Sequence, residues 1–394
     1  MCHFYAIISK MFNKEDVNLS LLRKRAFNLR WATVDKGVIP LTAADPDFPC
    51  APEIAQAITE YTKGRYLSYG PAEGLLEFRE SMANYFRTKR NIPASKDLLF
   101  PVDSAAFGIW LTCKAFLTPG DESIIFDPVD FLFRYSVESV GGIAMPFAIP
   151  AGSKVDFEAL EKRITTRTRL LCICNPLNPT GKVFTRAELF SFGELACKYN
   201  LTILSDEIWS EIVFTPGIFT SIASLSDEIS DRTITITGFS KSYGLRIGAV
   251  MTTNQKLYTQ LFNTSLHSST IHGAGVLSQI AATAALNSCE YWLNDFLVHL
   301  QAMRDLCVRE LNSIEGFHCI APEGCYVAFA DISGTNKTSS EIHEILLKQA
   351  KVAVVPGLKQ WFGEGAENYI RISFATSEDI LNDSFQRIKR IINL

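Results

Sequence analysis

The chain lacks a run of lysine and arginine, a Cys-x-x-Cys pair and an apolar stretch of membrane-spanning length. Thirty-eight basic residues stand against forty-two acidic ones, for a net charge of −4, so no nucleic-acid partner is expected. No segment reaches the roughly 18 apolar residues of a transmembrane helix, and no membrane partner is expected. Met1 to Asp16 holds only the apolar stretch Phe4 to Ile8, shorter than a signal-peptide core, so a cytoplasmic location is expected. The ten cysteines include several inside apolar runs, as in Leu170-Leu171-Cys172-Ile173-Cys174, and read as buried, reduced thiols. The six histidines are scattered; His267 and His272 share a segment but have no third ligand at metal spacing, so no metal is assigned. Internal repeats and low-complexity tracts are also missing.

What remains is a chain of 394 residues, 47% hydrophobic and 20% charged, too long for one core of ordinary size. Its middle alternates short apolar runs with amphipathic segments, the pattern of a largely parallel sheet in an α/β fold. Candidate strands are Ser123–Phe126, Leu170–Cys174, Thr202–Ser205, Thr233–Thr237 and Ile247–Thr252. A helix is expected over Thr185–Tyr199, opened by the capping box Thr185-x-x-Glu188. One long helical pattern, about Gly275 to Ile314, carries Trp292, Phe296, Leu300, Met303, Cys307 and Leu311 on one face. From about Phe317 the pattern becomes strand–helix–strand–helix, with a second capping box at Thr338-x-x-Glu341. The expected organisation is an N-terminal arm (1–45) packing on a small α+β C-terminal domain (286–394), with a large domain (46–285) between.

The informative residues follow the candidate strands, at the sheet edge where open α/β sheets bind ligands. Lys241, in Gly238-Phe239-Ser240-Lys241-Ser242-Tyr243-Gly244, stands among small hydroxylated residues after an alternating run. A partly desolvated amine there can form a Schiff base with a carbonyl cofactor; the alternative is an ordinary loop lysine. Asp206 ends an apolar strand, and a buried carboxylate needs a cationic partner, for which a protonated pyridine nitrogen would serve. Asn175-Pro176-Leu177-Asn178-Pro179-Thr180-Gly181 is a turn on any reading. Arg371 lies between Ile370 and Ile372, so a strand would turn it away from the apolar face, either into solvent or onto a carboxylate held bidentately.

Taken in order, Asn178-Pro179-Thr180-Gly181, Asp206-Glu207-Ile208, Ser240-Lys241-Ser242-Tyr243-Gly244, Arg246-Ile247-Gly248 and Tyr369-Ile370-Arg371-Ile372-Ser373 resemble the motifs of fold-type-I, pyridoxal-phosphate-dependent class I/II aminotransferases. The arm Ile39-Pro40-Leu41-Thr42-Ala43-Ala44-Asp45-Pro46 and Ala51-Pro52-Glu53-Ile54 look closest to the branch holding C–S lyases of the cystathionine β-lyase type. The resemblance spans about residues 25 to 392. It implies an aspartate-aminotransferase-like fold and pyridoxal 5'-phosphate as cofactor. By the same resemblance, Lys241 is the Schiff-base lysine and proton carrier, Asp206 the partner of the pyridine nitrogen, and Asn178 the hydrogen-bond partner of the cofactor's phenolic oxygen. Ser104, Ala105 and Ala106 would hold the phosphate at a helix N-terminus, helped by Ser240 and Arg246. Arg371 would clamp the substrate's α-carboxylate, with the Ala44 backbone on its far side. Tyr69 would reach the phosphate of the other subunit, which implies a homodimer.

Four positions depart from the family pattern. Arg246 follows Lys241 three residues sooner than usual. Trp209 stands where a tyrosine or histidine is common, Ser104 replaces a glycine, and Asp130 falls where an aromatic ring stacks on the cofactor. Phe131 or Phe133 is then the candidate ring. The expected reaction is amino transfer between an amino acid and a 2-oxo acid; β-elimination by a C–S lyase is the alternative.

Overall fold

The computed structural model describes residues 12–392; the stretch Phe4 to Ile8 and Cys2 fall outside them. A seven-stranded sheet forms the centre, in the order Leu99–Val102, Gly248–Met251, Thr233–Gly238, Thr202–Asp206, Thr168–Cys174, Glu122–Asp127, Ile143–Ala148. The last five of these strands run parallel to one another. Gly248–Met251 is antiparallel to both its neighbours. Each strand anticipated from the sequence is present, with ends shifted by one or two residues. The central strands are buried along almost their whole length, which is why Thr168–Cys174 reads as a nearly continuous apolar run, while Thr233–Gly238 alternates threonine with isoleucine and is buried on both faces.

Helix Arg186–Lys198 begins at Thr185, and the reciprocal Thr185–Glu188 capping box is formed. The single helix anticipated from Gly275 to Ile314 is instead two helices, Val276–Ser288 and Glu290–Asn312. Cys289 leaves helical geometry at φ −114°, ψ 17°, yet its N–H still bonds to the Ala285 carbonyl and its own carbonyl accepts from Leu293. Hydrogen bonding and apolar periodicity therefore run on across the break. Trp292, Phe296, Leu300, Met303, Cys307 and Leu311 line the buried face of the second helix.

Beyond that helix, Val327–Asp331 is flanked by His318–Cys319 and Tyr369–Ser373 in a four-stranded sheet whose other edge is Val355–Pro356. Helix Ser339–Ile345 opens with the Thr338–Glu341 capping box, and Glu378–Ile392 closes the described chain. Ile39–Pro40 pairs in parallel with Val352–Ala353. The Ser373 N–H donates to the Leu41 carbonyl and the Asp47 N–H to the Ala375 carbonyl. Nearby, Arg30 Nη2 meets Asp47 Oδ1 at 2.5 Å in a buried ion pair, and Trp31 Nε1 donates to the same oxygen at 2.8 Å. Such a pair is held because both charges have further partners; Arg30 Nη1 donates to the Pro40 carbonyl at 2.7 Å. These contacts fix residues 41–47 beside the carboxyl edge of the large sheet.

Nine described cysteines are free thiols, seven of them buried. Among the described residues no cluster of side chains suits a metal ion, and no helix is long and apolar enough to cross a membrane.

Candidate active site

A cavity of about 1150 Å³ opens at the carboxyl ends of the central strands. It is lined by Ala44, Ser104, Ala105, Ala106, Phe131, Phe133, Asn178, Asp206, Trp209, Ser240, Lys241, Arg246 and Arg371, which is every residue singled out from the sequence except Tyr69. Tyr69 is 81% exposed on an irregular segment and packs on His272, ring centroids 5.0 Å apart.

Lys241 sits three residues past Gly238, the end of its strand, on a tight turn, with its side chain mostly covered. Nζ donates to the Ala44 carbonyl at 2.7 Å, lies 3.7 Å from Asp45 Oδ1, and stands 5.4 Å from the centroid of the Trp209 ring. Burial pulls its pKa below the ordinary lysine value, opposed by the Asp45 carboxylate. Trp209 is buried and meets the Tyr326 ring edge-on at 4.6 Å, while the Tyr326 hydroxyl donates to the Ala44 carbonyl at 2.9 Å. The arm thus presents one carbonyl to both the amine and the phenol.

Asp206 ends its strand and is only 6% exposed. Its Oδ1 accepts the Ile208 N–H at 3.1 Å, and no lysine or arginine among the described residues forms an ion pair with it. Burial, with smaller contributions from Asp130 and Glu207, raises its pKa from 3.8 to about 7. Lys241 favours the ionised form of this carboxyl group but does not offset its burial, and a protonated pyridine nitrogen beside it would fit as an ion-pair partner.

Arg371 is 8% exposed, while Ile370 and Ile372 on either side are fully buried on the opposite face. Nη1 donates to Asn178 Oδ1 at 3.1 Å and Nη2 to the Thr42 carbonyl at 3.3 Å, and the guanidinium lies 5.0 Å from the Phe362 ring centroid. Its buried Nε has no partner. Asn178 Nδ2 in turn donates to Asp130 Oδ2 at 2.9 Å. Gly181, at φ +73°, closes the Asn178 turn, and a Cβ there would lie 2.3 Å from Pro322 Cβ. Its carbonyl accepts the N–H groups of Glu323 and Gly324, fastening the turn to the loop before Val327–Asp331.

At the other end, helix Ala105–Phe116 begins against the cavity, and the Ser104 hydroxyl caps it by accepting the Phe107 N–H at 3.2 Å. Gly248 makes this approach possible: a Cβ there would sit 3.0 Å from the Ala105 nitrogen. Arg246 is exposed at the rim. Of the two candidate stacking rings, Phe133 is 2% exposed and packed in the core of the large sheet, whereas Phe131 is 38% exposed and edge-on to Trp361 at 5.5 Å. Sequence reasoning missed Tyr326, the Thr42 carbonyl and the wall formed by the 15–29 segment.

Comparison with known proteins agrees with this geometry. The family model described as aminotransferase class I and II matches residues 36–388, and the chain belongs to that family. It is 32% identical to the putative aminotransferase YugH of Bacillus subtilis (strain 168), over 92% of this chain and 93% of that one. It is also 32% identical to an aspartate aminotransferase of Pyrococcus abyssi (strain GE5 / Orsay), over 95% of this chain and 96% of that one. Among solved structures, a PLP-bound putative aminotransferase from Clostridium difficile 630 superposes with a TM-score of 0.87 at 27% identity, covering 94% of this chain and 98% of that one. The protein is a pyridoxal-phosphate-dependent aminotransferase of the aspartate-aminotransferase-like fold.

Proposed function

We propose that the protein moves an amino group between an amino acid and a 2-oxo acid in this cavity, with Lys241, Asp206 and Arg371 as its principal residues. The observation that carries the assignment is Asp206, a carboxyl group buried at a strand end without a cation of its own. Bound pyridoxal phosphate supplies an electron sink conjugated to the substrate's amino group. Asp206 keeps that sink effective by holding the ring nitrogen protonated. Lys241 would hold the cofactor through its carbonyl carbon, and its free amine would carry the proton at the substrate's α-carbon, a task suited to an amine whose pKa burial has lowered. Arg371 binds the α-carboxylate with its fork, and Phe362 under the guanidinium limits its swing.

The start of helix Ala105–Phe116, with Ser240 and Arg246, receives the phosphate. Phe131, nearer solvent than Phe133, is the ring that meets the cofactor face. Tyr69 completes the phosphate site of a second copy in a homodimer; its exposure and that of Tyr66 and Leu67 support this. We assign the arm and small domain to 1–45 and 286–394, with the large domain at 46–285, and a cytoplasmic location. The likeness of the arm to C–S lyases gives way to transfer, since both curated relatives described above carry the name aminotransferase. Mixing the holoenzyme with a panel of amino acids tests the choice. Transfer leaves the cofactor in its amino form until a 2-oxo acid restores it; β-elimination releases pyruvate and ammonia without any added 2-oxo acid.

A further inference from the structure

Asp130 lines the cavity and places a carboxylate where the family pattern has a stacking ring. Its two oxygens are both committed. Oδ1 accepts the Leu132 N–H at 3.2 Å and Oδ2 accepts Asn178 Nδ2 at 2.9 Å. The other end of the same amide, Asn178 Oδ1, accepts Arg371 Nη1 at 3.1 Å. A side-chain amide can present either end to a neighbour, since half a turn about its last bond exchanges oxygen and nitrogen. Only one sense suits Arg371, because the reversed amide would set NH₂ against a guanidinium, donor against donor. An ionised carboxylate is acceptor-only and selects that sense.

We propose that Asp130 is a positioning residue for the carboxylate clamp, fixing the Asn178 amide so that the Arg371 fork is oriented before substrate arrives. The inference rests on the reading of Arg371 as the clamp. The charged and titratable groups around Asp130 are Arg371 and Lys241, which favour its ionised form, and Asp206 and Cys174, which add negative charge when ionised. Burial raises the pKa of Asp130 above the ordinary aspartate range, so the selecting charge is lost at a higher pH than for an exposed acid. Protonated, the group can donate to the amide oxygen and lets the amide turn over.

The test uses 2-methylalanine, which offers an amine and an α-carboxylate but no α-proton, titrated into holoenzyme and followed by the cofactor's visible absorbance. Asp130→Asn is expected to weaken binding about tenfold near neutral pH, the scale of one charge-assisted hydrogen bond only partly lost. The ratio of variant to wild-type Kd should shrink toward one as pH falls and Asp130 protonates in the wild type. With reactive amino acids KM should rise by a similar factor for every side chain while kcat stays within about twofold. Asp130→Ala serves as the second variant, and melting temperatures show that both fold. A pH-independent Kd ratio, or unchanged Kd, overturns the proposal. So does an altered resting spectrum with unchanged Kd, which would place Asp130 on the cofactor instead. Arg371→Lys is the control. If it leaves Kd unchanged, the clamp reading has failed; if it weakens binding while Asp130→Asn does not, only the present inference has.

Discussion

Replacing Asp206 with asparagine tests the charge balance of the site in both the cofactor-free and cofactor-loaded protein. In the cofactor-free chain the folded state holds a proton on Asp206 up to about pH 7, whereas the unfolded chain releases it near 3.8. Between those values the folded state binds more protons than the unfolded one, so stability falls as pH rises through the window. At about 1.4 kcal/mol per pH unit, the displacement from 3.8 to about 7 sets an upper bound of about 4 kcal/mol on that loss. Glu207, raised to about 7 by its own burial, and Asp130 and Asp127, also raised by burial, contribute slopes of the same sign, so Asp206→Asn should remove part of the pH dependence and not all of it. Denaturant titrations of cofactor-free wild type and variant at several values between pH 4 and pH 7 read this directly. In the loaded enzyme the same exchange should lower kcat much more than KM, because a neutral amide cannot hold the ring nitrogen protonated as negative charge develops. Parallel stability slopes in the two proteins, together with near-normal turnover, would refute the reasoning and make Asp206 a structural carboxylate.

Further outcomes follow from the other contacts. Lys241→Ala should leave the fold nearly unchanged, since the amine it removes has polar contact only with the Ala44 carbonyl and the partly exposed Asp45 carboxylate, but abolish the visible absorbance of lysine-bound cofactor. Arg371→Lys should lower kcat/KM for all amino acids by a similar factor of about one to two decades, the worth of roughly 1.5–3 kcal/mol of charge-assisted hydrogen bonding. A defect that varied with the substrate's side chain would move Arg371 to the distal end of the pocket. Gly181→Ala places a Cβ 2.3 Å from Pro322 Cβ on a backbone at φ +73°, and should cost at least about 1–3 kcal/mol of stability by melting or denaturant titration. Sedimentation should give twice the chain mass, and Tyr69→Phe should weaken cofactor binding without altering that mass.

The site residues were legible because each belongs to a short motif that ends or follows a buried run or, for Arg371, interrupts one. Lys241, Asp206, Asn178 and Arg371 were therefore found one motif at a time, and the fold brings them to one cavity. Local signals such as the Thr185 and Thr338 capping boxes also carried through, since a cap is made within one turn. What escaped depends on contacts between distant segments. The Tyr326 hydroxyl and the Ala44 carbonyl are 282 positions apart, and a phenol in the bend just before the strand Val327–Asp331 gives no sign of its partner. The break at Cys289 was hidden for a different reason: apolar spacing and hydrogen bonding continue across it, and no glycine or proline marks it. Asp130 stood out only as a departure, because its meaning lies in an amide 48 residues away.

Borohydride reduction of the holoenzyme, followed by peptide mapping, tests the central claim most directly, because it fixes the carbonyl cofactor to the amine that held it. The account predicts one pyridoxyl-bearing peptide, modified at Lys241 and protected from modification when an amino-acid substrate is added first. Modification at another lysine, or none at all in protein that still shows transfer activity, would contradict it.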